Sequence, residues 1–174
     1  FSNDNMHHWN RIKTPQGQFN LKIPVKHHFG DLINQVKVSD EMNRRKKHLK
    51  TLKMNYMRAK YFNTIFPEFE RLINKNYGNL AEMNIAINRF ICDGFGFKTE
   101  FVLASDLEIH SSKENRVIDI CKQLNAETYL SGSGAKSYQK ESNFNKNDIA
   151  LEYTKYQSFE YKQLWNKFLP DLSN

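Results

Sequence analysis

The sequence is poor in the features that usually announce a mechanism. Its 174 residues include two cysteines, Cys92 and Cys121, each on an apolar stripe at helical spacing. Two isolated thiols make neither a disulfide framework nor a zinc spacing, and they fit a reducing compartment. No apolar run reaches the roughly 18 residues that a bilayer-spanning helix needs, and no signal-peptide core opens the chain. A cytoplasmic location is the expectation. There is no Gly-x-Ser-x-Gly elbow, Walker loop, Gly-x-Gly-x-x-Gly or His-Glu-x-x-His, and no internal repeat or low-complexity segment. Acidic residues are also short, 19 against 26 Lys and Arg, for a formal charge of +7. That excess favours acidic partners: nucleic acid, anionic lipid or phosphorylated small molecules.

A hydrophobic content of 39% with 13% aromatic residues is ordinary for a folded chain. At this length roughly two thirds of the unfolded surface can be buried without disulfides. One domain over residues 1–174 is the expectation, read as a piece of a longer product because the chain starts at Phe1 without a methionine. Residues 1–17 read as polar and irregular, with a turn at Pro15-Gln16-Gly17. Phe19, Leu21, Ile23 and Val25 then alternate with polar residues, the signature of a strand with one wet face. Residues 35–38 could form another short strand. A helix over residues 41–57, capped at Ser39-Asp40, presents Leu49, Leu52 and Tyr56 on one side. Arg44, Arg45, Lys46, Lys47, Lys50 and Lys53 crowd its other side. Residues 61–73 repeat apolar side chains at helical spacing, with a restart at Pro67. Asn79 to Glu82 has the order of a capping box, before a helix ending near Gly94.

The most informative stretch is residues 116–138. Val117, Ile120, Cys121 and Leu124 make one helical stripe, Thr128-Tyr129-Leu130 reads as a buried strand, and Ser131-Gly132-Ser133-Gly134 opens a new helical segment. With a strand expected over residues 97–103 and a capping box at Ser111–Glu114, this makes a β-α-β unit with parallel strands. Residues 149–153 supply a third strand. The expected class is therefore α/β: a mostly parallel sheet, flanking helices and a helical insertion over about residues 41–94. In such a sheet the loops at residues 104–106 and 131–134 would share one rim, where open parallel sheets bind ligands. Backbone N–H groups at Gly132 and Gly134, with Ser131, Lys136 and Arg116 nearby, would hold an anion there. Lys113 and Arg116 oppose the dipole of their own helix, which a bound anion would offset. His48, among cations that lower its pKa, is the candidate general base. His7 and His8 have no third ligand at a workable spacing, so no metal is assigned.

Several segments together resemble the WbqC-like protein family. Asn10-Arg11-Ile12-Lys13-Thr14-Pro15 before Gly17, His48-Leu49-Lys50 with Asn55-Tyr56 and Tyr61-Phe62, the block from Arg116 through Tyr129-Leu130-Ser131-Gly132 to Gly134-Ala135-Lys136 and Tyr138, and the closing Tyr161, Gln163, Phe168-Leu169-Pro170 and Leu172-Ser173 follow in order. The family's opening His-Gln-Pro-x-Tyr-x-Pro-Trp motif is not in this chain, and Trp9 stands where an arginine is common. The resemblance implies a role in bacterial O-antigen or other surface-polysaccharide biosynthesis. A transferase moving an acyl or aminoacyl group onto a nucleotide-linked sugar fits that setting. Arg11 and Lys13 would then add charge around the phosphates, because guanidinium matches phosphate bidentately. The expected partner is a nucleotide-linked sugar or another phosphorylated small molecule; no cofactor is assigned. The rival readings are a scaffold of a glycan-assembly complex, docking peripherally on anionic membrane, and a nucleic-acid binder using the face from Arg44 to Lys53.

Overall fold

The computed structural model describes residues 1, 6–39, 43–165 and 167–172. The contacts gather into two compact units, Phe1–Lys98 with Ser158–Asn174, and Thr99–Gln157.

The first unit begins with an antiparallel hairpin. β1 (Trp9–Thr14) pairs with β2 (Gly17–Lys22) in a register running from Trp9 opposite Lys22 to Thr14 opposite Gly17. The turn at Pro15-Gln16 is where the sequence places it. Gly17 has φ +110°, a conformation that favours glycine. The Thr14 hydroxyl donates to the Gly17 carbonyl at 2.9 Å and accepts from the Gln16 N–H at 3.2 Å. β1 itself lies in a stretch expected to be irregular, so its pairing is supplied by β2. A second, shorter ladder joins β3 (Val25–Lys26) to β4 (Lys37–Val38), also antiparallel.

Three helices follow: α1 (Arg44–Tyr56), α2 (Phe62–Asn74) and α3 (Leu80–Gly94). The expected cap at Ser39-Asp40 falls partly outside the described residues. α2 runs through Pro67 instead of restarting there. The Asn79 capping box forms as read: Asn79 Oδ1 accepts from the Glu82 N–H at 3.0 Å, and Glu82 accepts from the Gly78 N–H at 2.9 Å. Ile23, Val36, Leu49, Ile73, Leu80 and Met83 form the core, with Phe66, Phe69 and Ile87 packed against it. Each such side chain contributes about 1.5–3 kcal/mol when removed from water.

The second unit is smaller. α4 (Lys113–Gln123) leads to β5 (Thr128–Ser131), a short 3₁₀ turn over Ser133–Ser137, α5 (Glu141–Asn145) and β6 (Ala150–Tyr153). β5 and β6 are parallel, Thr128 opposite Ala150 through Ser131 opposite Tyr153. Ile118, Cys121, Phe144 and Ile149 make its core, and the Tyr129 and Phe144 rings stack with centroids 5.6 Å apart. Burial pushes the Cys121 thiol up, as expected of an inert core cysteine.

Two expectations are corrected here. The chain combines helices and strands, but not around a mostly parallel sheet: among the described residues there are three two-stranded ladders, and only β5–β6 is parallel. The stretch 97–103 forms no strand, and Phe97, Phe101 and Val102 are exposed. The loops at residues 104–106 and 131–134 therefore do not close one sheet rim. The Ser111–Glu114 box does not cap either. The Ser111 hydroxyl donates to Asp119 at 2.5 Å, and the Glu114 carboxylate accepts from Asn143 Nδ2 and from the Lys140 N–H, tying α4 to α5. Those two bonds, that from Asn143 foremost, hold the Glu114 carboxyl below its usual range.

Candidate functional site

In the first unit, side chains from three places converge on an open pocket of about 460 Å³. His8 lies beside the end of β2 because the Ile23 N–H donates to the His8 carbonyl at 2.8 Å. Lys22 closes β2, and His27 follows β3. α1 contributes Arg44, Lys47, His48 and Thr51, positions i, i+3, i+4 and i+7, which share one helix face. Phe19, Pro24 and Val25 supply apolar wall. Among the described residues no carboxylate lines this pocket, although three cations and three imidazoles do.

The electrostatics are correspondingly one-sided. The first turn of α1 holds no acidic residue and begins Arg44-Arg45-Lys46-Lys47. Cations there oppose the helix dipole at a cost of about 0.3–1 kcal/mol each, which a bound anion offsets. Burial depresses the His48 pKa, partly opposed by its ring nitrogen Nδ1 lying 3.4 Å from the Lys22 carbonyl oxygen. A carbonyl only accepts, so that contact places the proton on Nδ1 and leaves the Nε2 lone pair as the basic site. His8 is depressed by burial first, and then by Lys22, His27 and His7. Its Nδ1 is buried without a hydrogen-bond partner among the described residues.

The candidates named from sequence divide between the units. Arg11, Lys13 and His48 belong to the first, and Arg116, Ser131, Gly132, Gly134 and Lys136 to the second. Only His48 lines the pocket. Arg11 sits in β1 opposite Asn20, half-buried, with Nε lacking a partner among the described residues. Lys13 is sealed from water at 1% exposure. Its ammonium donates to the Leu164 carbonyl at 2.5 Å and to that of Lys167, and its N–H donates to the Tyr56 hydroxyl at 2.9 Å. Those contacts make Lys13 an internal tie, not a surface for phosphate.

In the second unit, Ser131 is buried at the end of β5 and Lys136 stands over the Tyr153 ring at 5.8 Å, beside the end of β6. Gly132 has ordinary extended angles, and a Cβ on Gly132 or Gly134 would meet nothing within 4 Å. Gly132 precedes and Gly134 lies within the short 3₁₀ segment Ser133–Ser137, too short for an appreciable dipole. Arg116, closing the first turn of α4, is half-buried.

The model of the WbqC-like protein family matches residues 1–174. The chain belongs to that family. It is also 32% identical over 168 residues to the uncharacterized protein Rv1507c of Mycobacterium tuberculosis, a match covering 94% of this chain and 72% of that protein. No solved structure matches the chain.

In this WbqC-like chain the sequence signal for the pocket is split. The cationic face of α1 and the His7-His8 pair stand out by composition, and His48 by its neighbours. Lys22 and His27 carry no such mark. They join the site because the β1–β2 register and the β3 ladder bring them to α1.

Proposed function

We propose that this WbqC-like chain is a transferase, moving an acyl or aminoacyl group onto a nucleotide-linked sugar in bacterial surface-polysaccharide biosynthesis. The observation that carries the reading is an imidazole kept neutral on the wall of a cation-lined pocket. His48 Nε2 takes the proton from an acceptor hydroxyl or amine, whose heteroatom bonds to the acyl carbon. The bond from that carbon to its activated ester or thioester carrier breaks, and the imidazolium returns its proton to the departing carrier. Lys22, Arg44 and Lys47 hold the sugar nucleotide's phosphates while this happens. The Gly132–Gly134 turn, with Ser131, Lys136 and Arg116, is the second place where this reading puts an anionic group. Among the described residues no helix is long and apolar enough to cross a membrane; the reading places the chain in the cytoplasm, where nucleotide sugars are made.

The test is turnover with candidate acyl carriers and nucleotide sugars. General base catalysis contributes about 10²–10⁴-fold, so His48→Gln should lose that much in kcat. A variant within a few-fold of the parent removes His48 from the chemistry.

A further inference from the structure

We infer that the pocket between β2 and α1 is a binding site for an organic phosphate with a flat body, of the nucleoside diphosphate class, with its phosphates on Lys22, Arg44 and Lys47 and its ring against Phe19. This deepens the preceding reading, because it assigns one part of the proposed substrate to one wall of the pocket.

Three observations combine. First, Lys22, Arg44 and Lys47 arrive from two elements at one hollow, and among the described residues no carboxylate lines it and none of the three forms an ion pair. Like charges repel, so gathering them without counter-charge is costly unless an anion completes the set. Second, three imidazoles, those of His8, His27 and His48, line the same hollow beside the cations. An imidazole N–H donates to a phosphate oxygen as readily as to water. Third, Phe19 lines the pocket and remains 50% exposed on a strand whose next inward residue, Leu21, is buried. Inorganic phosphate would leave that ring in water; a ligand with a planar body covers it, and bases stack on aromatic rings without demanding sequence. About 460 Å³ lies within the usual range of roughly 300–1,000 Å³ for small-molecule pockets.

The experiment is calorimetric titration of the whole chain with UDP, ADP and inorganic pyrophosphate at low salt. The nucleotides should bind several-fold tighter than pyrophosphate. Arg44→Ala with Lys47→Ala should weaken all three by about tenfold or more, since opposite charges set the attraction, and Lys47→Arg should restore most of it. Phe19→Ala should bring the nucleotides down to the level of pyrophosphate. Both altered sites are on the surface, and circular dichroism checks the fold. Unchanged binding in the double variant overturns the inference, as does an unchanged nucleotide preference in Phe19→Ala. Loss in Lys136→Ala alone also overturns it, moving the phosphates to the glycine turn while leaving the transferase reading intact. No binding of any probe by the parent chain overturns the inference, and turnover then decides the transferase reading on its own.

Discussion

Lys13 shows how a charge can be internal with no counter-ion among the described residues. Its ammonium is met by two backbone carbonyls from residues 164 and 167, and burial lowers its pKa. The β1 strand and the chain's closing segment are thereby joined within one unit. Lys13→Met keeps most of the stem but leaves both carbonyls without a donor, at about 1–3 kcal/mol for each buried group left unsatisfied. Urea unfolding should show a loss of at least that single-group size; an unchanged midpoint would mean that water replaces the ammonium. The histidines make the second prediction. His8 and His48 titrate below the ordinary 6.5 in the folded chain. On acidification the unfolded chain takes up these protons first, so stability falls from about pH 6.5 down to the folded values and is level outside that window. Replacing both by Asn should flatten this part of the stability curve between pH 7.5 and 5.5.

Among the elements, α3 has the most self-contained start. Asn79 Oδ1 accepts from the Glu82 N–H, the Glu82 carboxylate accepts in return from Asn79 Nδ2 and the Gly78 N–H, and Leu80 just inside the helix is fully buried. Asn79→Ala should cost about 1 kcal/mol, within the usual 0.5–2 for a lost cap, read as a lower urea midpoint with unchanged slope. Asn79→Gly should recover most of it, because glycine at the cap costs only a few tenths. α4 starts differently. Ser112 makes no side-chain cap, and Glu114 spends its carboxylate on α5. α4 is thus anchored by a partner element, α3 by its own first turn.

For the whole molecule, a charge of +7 is a statement about association. Between 0.1 and 1 M salt the screening length shrinks from about 10 to about 3 Å. Pyrophosphate binding to an open, cation-lined pocket should weaken steeply over that range, as isothermal titration at each salt would read. Duplex DNA should give no retardation in a gel at 0.1 M salt. Of the α1 cations, Arg44 and Lys47 line a hollow and Arg45 donates to the Ile73 and Lys75 carbonyls, whereas a phosphate backbone needs a continuous basic stripe. Retardation that salt abolishes would favour the nucleic-acid alternative.

Much of this was legible from residue order. Local signals suffice where an element satisfies itself: the Pro15–Gly17 turn, the apolar stripes of α2 and α3, the Asn79 box, and β5 and β6 with their helical crossover. The run of motifs from Asn10 to Leu172 pointed to the WbqC-like family without any structure. Other features depend on partners distant in the chain. Residues 97–103 have strand-like composition but pair with no strand among the described residues, whereas the polar stretch 9–14 is a strand because β2 supplies a partner. Lys13 reads like a surface cation until the carbonyls of Leu164 and Lys167 meet its ammonium. Lys22 and His27 join a pocket only when two short ladders carry them to α1. A strand, a buried charge and a binding hollow are each defined by what lies opposite, and residue order alone does not say what that is.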